Sequence, residues 1–232
     1  TNEEGKAETG ANVLPYGTYE VKETVAPEGC DRDDTIQTVQ IRTQDQYDTV
    51  PYTWQEPIVR GNIEVLKYDY DRNEEALKQG DAVLTGAEFE IYNKSANAIT
   101  YVTDNGATKK TVDPNGLIDT IKTDEKGIAS TEPNSLPYGT YLVTEVKAPD
   151  GYTQEGENLS FTLSIRESGK TYNGTARNRV VRGGLSLTKV DSDIDTAQGG
   201  ATLEGAEFSI INRSAEKGEE LASLIQSETD SS

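Results

Sequence analysis

Three polar residues of this chain occupy strand positions that otherwise carry apolar side chains: Lys67, Glu145 and Asn178. Side chains alternate between the two faces of a β-strand, so residues two apart share a face. Glu145 therefore shares its face with Tyr141 and Val143, and Lys67 and Asn178 continue the apolar faces of their own segments in the same way. An unpaired charge on a buried face is costly. The pattern therefore predicts that these side chains contact one another.

Such a trio has two interpretations. The structural one is a buried Lys–Glu ion pair held by an amide, and a buried ion pair is weak evidence of stability because desolvation offsets attraction. The chemical one starts from the fact that burial favours the neutral forms of amines and carboxylic acids. A neutral amine beside a protonated carboxylic acid is a nucleophile beside a general acid. With a carboxamide next to them, the product is an amide between two side chains, with ammonia released.

An internal repeat sets the organisation of the chain. Three segments recur at a constant offset of 122 residues, which favours a tandem array of domains. They are TNEEGKAET at Thr1 with TDEKGIAST at Thr123, LPYGTYEVKETVAPEGC at Leu14 with LPYGTYLVTEVKAPDGY at Leu136, and PIVRGNIEVLKYD at Pro57 with RVVRGGLSLTKVD at Arg179. Because Gly61-Asn62 and Gly183-Gly184 mark the joints, we expect a strand to follow each of them.

These joints predict three units. Residues 62–183 form one complete repeat, residues 1–61 the C-terminal half of a preceding repeat, and residues 184–232 the N-terminal part of a following one. We therefore expect the chain to be a piece of a longer protein.

Short alternating segments between turn residues predict an all-β fold. The expected strands of the complete repeat lie near 62–68, 86–93, 98–103, 117–122, 138–147, 159–166 and 174–181. Seven short strands in one repeat are typical of an immunoglobulin-like β-sandwich. The polar stretch 71–82 is expected to be a loop, and Ala215 to Ile225 a short helix.

Composition excludes several functions. The net charge of −19 argues against binding nucleic acid or an anionic membrane surface, since few cations are present to neutralise phosphates. The chain has no histidine, so a Ser-His-Asp set is impossible, and its one cysteine, Cys30, cannot form an internal disulfide. We expect no metal, no cofactor and no enzyme activity toward other molecules.

Four motifs of the complete repeat resemble the Cna B-type, or SpaA-like (prealbumin-like), domains of Gram-positive surface proteins and pilins. They are the opening Gly-x5-Lys-x-Asp of Gly61 to Asp69, the segment Gly86 to Phe89, the block Leu136 to Tyr152, and Asn178 five residues before the joint Gly183. The resemblance covers the whole chain, once in full and twice in part, and implies tandem immunoglobulin-like (Cna B-type) β-sandwich domains.

The resemblance also implies roles for the trio. In that family a Lys on the first strand and an Asn on the last join spontaneously into an isopeptide bond, which implies Lys67 as nucleophile, Asn178 as acceptor and Glu145 as proton shuttle. The implied function is a structural stalk or pilin-like module on the extracellular, cell-wall-attached surface of a Gram-positive bacterium. Its expected partners are neighbouring domains of the same protein. The alternative is an adhesin domain that binds a host ligand through its loops.

The partial copies depart from this pattern. Glu23 takes the place of Glu145 in the first copy, but the acceptor position, five residues before Gly61, is Glu56, so we expect no crosslink there. Lys189 of the last copy has neither the Glu nor the acceptor within the chain, so we expect it to remain a free amine.

The two fragments are complementary halves of one repeat. This relation predicts head-to-tail association between the 184–232 segment of one molecule and the 1–61 segment of another.

Two further motifs are interpreted as structural. Leu-Pro-Tyr-Gly-Thr is similar to a sortase signal, but Gly and Thr are exchanged and it recurs inside the repeats, so a turn into a strand is favoured. The runs from Asp69 and from Asp191 begin like calcium loops but lack the sixth-position Gly and the twelfth-position Glu. They are interpreted as acidic, solvated loops.

Overall fold

The structure of the chain is a computed structural model that describes residues 1–46, 54–72 and 77–210. Strands dominate the described residues. They are β1 (Gly17–Lys22), β2 (Ile36–Ile41), β3 (Arg60–Asp69), β4 (Glu88–Asn93), β5 (Ile99–Thr103), β6 (Thr108–Val112), β7 (Leu117–Lys122), β8 (Ile128–Ser130), β9 (Leu136–Pro137), β10 (Gly139–Lys147), β11 (Tyr152–Glu157), β12 (Ser160–Ile165) and β13 (Thr171–Val180). The all-β prediction is confirmed.

Apart from β5 and β6, which pair as a separate two-stranded sheet, the strands from β3 to β13 form a sandwich of two sheets. One sheet has the order β12-β10-β4-β7, and the other has the order β11-β13-β3-β8 with β9 also paired to β3. Strict alternation of buried and more exposed residues along β3 and β4 turns one face of each sheet inward. The buried side chains between the sheets include Ile63, Val65, Phe89, Ile91, Tyr141, Val143 and Ala176, which together form the apolar core.

The first and last strands of this sandwich are neighbours. β3 and β13 pair in parallel, with Gly174 opposite Val65 and Ala176 opposite Lys67. Within the described residues, the other strand pairs of the two sheets are antiparallel. The parallel pair therefore places the first and the last strand of the sandwich side by side.

The 1–46 segment reproduces part of this structure. β1 and β2 form an antiparallel pair, like β10 and β12. Arg42 donates from Nη1 to the carbonyl oxygens of Gly17 and Ile41, and Arg166 makes the same two contacts with Gly139 and Ile165. The repeated sequence therefore folds into repeated local structure.

One expected strand does not form. Residues 183–190 have no strand pairing, and Leu185 and Leu187 are exposed, although the sequence predicts a strand after Gly183. The equivalent strand β3 is held by β13 on one side and β8 on the other. Within the described structure, residues 183–190 have no such neighbours. The expected helix from Ala215 to Ile225 lies outside the described residues.

Candidate crosslinking site between the sheets

Lys67 is a cation placed in the core by the alternation of β3. It follows Ile63 and Val65 on the inward face and is only 2% exposed. Its aliphatic stem continues the apolar face, and its ammonium nitrogen lies 6.0 Å from the centre of the Phe89 ring. The lysine is therefore directed between the sheets.

Asn178 lies on the neighbouring strand β13 and is fully buried. Its Cα pairs with that of Asp69, two residues beyond Lys67 on β3. Because β3 and β13 are adjacent and parallel, the two inward side chains Lys67 and Asn178 lie diagonally next to each other on one sheet.

Glu145 comes from the opposite sheet. It lies on β10 just before a break in register with β4, and its backbone N–H donates to the carbonyl of Leu159 at 2.7 Å. The residue as a whole is 8% exposed, but its side chain is fully buried. The carboxyl group therefore reaches across the core to Lys67 and Asn178.

The Glu145 carboxyl group bridges the other two side chains. Its Oε1 lies 3.0 Å from Lys67 Nζ, and its Oε2 accepts a hydrogen bond from Asn178 Nδ2 at 2.7 Å. Gln154 Nε2 donates to the same Oε2 at 3.3 Å. The Lys67–Glu145 contact has ion-pair distance without regular hydrogen-bond angles, and Asn178 Oδ1 also has no hydrogen-bond partner among the described residues. The site thus keeps buried polar atoms unsatisfied, which is uncommon in folded proteins.

Burial controls the charge of the amine. Loss of hydration lowers the pKa of Lys67, and the nearby Glu145 carboxylate opposes this effect in part. The neutral amine, which is the nucleophilic form, is therefore more populated at Lys67 than at a surface lysine. One carboxyl group contacts both this amine and the nitrogen of the carboxamide, so it is placed to move a proton from one to the other.

A second buried carboxylate, Asp69, follows Lys67 on the same inward face and is fully buried. It accepts hydrogen bonds from the Tyr152 hydroxyl at 2.9 Å, from Gln79 Nε2 at 2.9 Å and from the backbone N–H of Asp71 at 2.9 Å. Sequence reasoning assigned Asp69 to a solvated loop and missed this network. Its period-two spacing from Lys67 was the available signal.

The acidic loop that begins at Asp191 has hydrogen bonds similar to those of the loop that begins at Asp69. Gln198 donates to Asp191 at 2.9 Å and to Asp193 at 3.2 Å, much as Gln79 donates to Asp69. Among residues 1–46, 54–72 and 77–210, no group of three carboxylate or thiol side chains is arranged to hold a metal ion.

The partial sites differ from the complete one. Glu56 is half-buried, and burial, followed by the charge and hydrogen bond of Glu23, raises its pKa. Glu23 also accepts the backbone N–H of Asp33 at 3.0 Å. A pair of carboxyl groups thus stands where the complete repeat has Glu145 and Asn178. Lys189 is exposed.

The fold and the buried trio define a class of β-sandwich repeat domains. Residues 1–55 and 61–179 match the model of the SpaA family, described as a prealbumin-like fold domain, and the chain belongs to that family. No curated protein sequence matches the chain.

Several solved structures are similar to parts of this chain. The Bacillus anthracis TIE protein is 28% identical, with a TM-score of 0.50, over 72% of this chain and 26% of its own. A Streptococcal ancillary pilin is 19% identical, with a TM-score of 0.38, over 79% of this chain and 51% of its own. GBS52, the minor pilin of Streptococcus agalactiae, is 21% identical, with a TM-score of 0.36, over 77% and 66%. The chain thus spans between about a quarter and two thirds of the length of these relatives.

Within the part of the chain that the structure describes, no helix is long and apolar enough to cross a membrane.

Proposed function

We propose that this chain is a structural, stalk or pilin-like module of an extracellular protein attached to the cell wall of a Gram-positive bacterium. We also propose that Lys67 and Asn178 form an isopeptide bond. The observation that carries the second proposal is the single Glu145 carboxyl group in contact with both nitrogens, 3.0 Å from one and 2.7 Å from the other. Membership of the SpaA family supports the first.

The reaction balances within the trio. Glu145 Oε1 takes a proton from Lys67, and the neutral Nζ attacks Cγ of Asn178. The carboxyl proton passes to the departing Nδ2, the C–N bond of the carboxamide breaks and ammonia leaves. The Glu145 carboxylate then takes the second proton from Nζ, so the products are one secondary amide, one ammonia and a protonated Glu145 carboxyl group. These balance the starting ammonium, carboxamide and carboxylate in atoms and in charge. Burial assists because it disfavours the ammonium form that cannot attack.

The bond has a mechanical consequence for the repeat. β3 and β13 carry the two chain connections of the sandwich, and residues 67 and 178 lie on these strands. A covalent link between them would pass pulling force from one connection to the other. The rest of the sandwich would remain unloaded.

Intact mass of the purified chain tests the bond. We expect a deficit of one ammonia, and the full mass in the Lys67→Ala, Asn178→Ala and Glu145→Ala variants. The matched control is Lys189→Ala, which removes the equivalent lysine of the next copy and should keep the deficit. A peptide joining residues 67 and 178 after proteolysis would locate the bond. An unmodified mass of the wild-type chain would contradict the proposed bond.

The same proposal divides the chain into repeats that begin at residues 62 and 184. We propose that no crosslink forms at Glu56, because a carboxylate beside another carboxylate is a poor acceptor for an amine. We also propose that Lys189 remains a free amine. Other subunits or domains of the same protein are the proposed partners, including head-to-tail contacts between partial repeats. Light scattering that shows a strict monomer at high concentration would contradict these contacts.

A further inference from the structure

The segment 57–61, where one repeat passes into the next, is hydrogen-bonded on both sides. The N–H of Val59 donates to the carbonyl of Gly29 at 2.9 Å, and its carbonyl accepts the N–H of Tyr138 at 2.8 Å. Val59 is only 5% exposed. The N–H of Asp31 also donates to the carbonyl of Pro57 at 2.7 Å. The connection therefore has no free linker, because its backbone is bonded to the preceding and the following repeat at once.

An aromatic surface receives a turn of the preceding repeat at this joint. The guanidinium of Arg166 stacks on the Tyr138 ring, 4.5 Å from its centre. Gly29 lies against the same ring, and a Cβ at this position would be 2.9 Å from Tyr138 Cγ. Gly29 also has a φ of +85°, which side chains rarely adopt. Only glycine fits both the backbone and the contact.

Two carboxylates of the same turn fix its position. The Tyr138 hydroxyl donates to Glu28, and the Ser168 hydroxyl donates to Asp31. Both acceptors belong to the preceding repeat and both donors to the complete one. None of the four groups takes part in the Lys67 site. The contacts therefore serve a separate purpose, the attachment of one repeat to the next.

Both halves of this joint occur a second time in the chain. Arg42 stacks on the Tyr16 ring at 5.0 Å and is held by the carbonyl of Gly17, as Arg166 is held by Gly139, yet Tyr16 is 77% exposed. The chain thus contains an occupied aromatic platform and an open one.

The turn is repeated as well. The N–H of Val181 donates to the carbonyl of Gly151 at 2.8 Å, which matches the Val59–Gly29 bond, and Val181 is 60% exposed. Asp150 takes the place of Glu28 in the sequence.

We propose that the Tyr–Arg stack of each repeat is a docking platform for the acidic Pro-x-Gly turn of another repeat, and that this contact holds consecutive repeats in one fixed orientation. The Tyr138 platform binds the turn Pro27–Asp31 of this chain. The Tyr16 platform is open to an equivalent turn of a neighbouring repeat. The platform recognises two features of the turn: a glycine that allows close approach to the ring, and a carboxylate that accepts a hydrogen bond from the tyrosine hydroxyl.

Distances between two spin labels test the fixed orientation in the full-length chain. The labels are attached at Thr38→Cys on β2 and Lys109→Cys on β6, both exposed, in a Cys30→Ser background. We expect one narrow distance distribution. The Glu28→Ala/Asp31→Ala variant should lose the single narrow peak, because it removes both side-chain contacts and leaves the backbone unchanged.

Two matched controls separate docking from charge and from strain. Glu20→Ala/Glu125→Ala removes the same charge from exposed positions away from the joint and should keep the narrow peak. Gly29→Ala should broaden the distribution, whereas Gly106→Ala, with a φ of +90° and open space around it, should not. A broad distribution in the parent chain, or a narrow one in both joint variants, would overturn the proposal. Neither result bears on the crosslink, whose residues are not altered.

Discussion

The energetic effect of the proposed crosslink can be isolated with a cycle of Lys67→Met, Asn178→Ala and the double variant. The bond would close a loop of 112 residues, from 67 to 178. In the chain-entropy model, a loop of this length stabilises the folded state by about 5 kcal/mol. For a domain of about 120 residues the unfolding entropy at the midpoint is about 0.25 kcal/mol/K, so this amount corresponds to about 20 °C in Tm.

A cycle is needed because each substitution also removes other contacts. In a chain without the crosslink, Asn178 donates a 2.7 Å hydrogen bond to Glu145, and hydrogen bonds to charged groups contribute about 1.5–3 kcal/mol. In such a chain, Lys67→Met also leaves the buried Glu145 carboxylate without its cation, which costs about 3–5 kcal/mol. The bond itself replaces both contacts, because it makes the lysine nitrogen an uncharged amide and releases Nδ2 as ammonia. The sum of the two single variants counts the loss of the crosslink twice, whereas the double variant loses it once. The destabilisation of the double variant should therefore fall short of the sum of the singles by about 5 kcal/mol.

The assay is guanidinium unfolding of the full chain followed by circular dichroism, with the intact mass of every variant measured in parallel. Lys189→Met is the control, and its exposed position predicts a change within about 0.5 kcal/mol. If the wild-type chain has lost ammonia but the coupling stays within about 0.5 kcal/mol of zero, the loop-entropy reasoning is refuted.

Three further predictions concern the tyrosines. Tyr152→Phe removes the 2.9 Å hydrogen bond to buried Asp69 and should lower the free energy of unfolding by about 1.5–3 kcal/mol in denaturant titration. Tyr141→Phe removes a buried hydrogen bond to the Pro137 carbonyl and should lower the free energy of unfolding by about 1 kcal/mol. Tyr19→Phe removes the equivalent, more exposed hydrogen bond to the Pro15 carbonyl and should have a smaller effect. Equal losses in the two variants would contradict a role for burial. Burial raises the pKa of Tyr101, Tyr141 and Tyr152. Above the ordinary tyrosine pKa of 10.0, the unfolded chain therefore releases protons that the folded chain keeps. The free energy of unfolding should therefore fall as pH rises through this range. Unfolding titrations across that pH range should show a weaker fall for Tyr141→Phe.

Strand alternation alone predicted that the three side chains of the candidate site meet in the core, and the bond between them stays a prediction. Lys67, Glu145 and Asn178 interrupt apolar faces at period-two positions, and in a sandwich these faces meet. Which atoms of the trio come into contact depends on strand register, and the register between β3 and β13 is set by pairing across more than 100 residues. Periodicity within one strand carries no information on that pairing.

Several strands were missed for local reasons. β6 is a mostly exposed edge segment with two lysines, and β8 and β9 are too short to show a period. β11 is polar and contains Gly156, where a Cβ would lie 1.7 Å from the Arg177 carbonyl oxygen. A glycine weakens the strand signal in sequence, although here the close approach of β13 requires it.

The parallel pairing of β3 and β13 also determines how a series of such repeats would grow. The chain enters the sandwich at the start of β3, at Arg60, and leaves it at the end of β13, at Val180. Because the two strands run in the same direction, these points lie at opposite ends of the domain. Each added repeat would therefore increase the length of the molecule. In a repeat without the crosslink, tension applied to the two ends would shear all the hydrogen bonds of this strand pair together, so that they could not open one at a time, whereas the proposed bond would carry that tension.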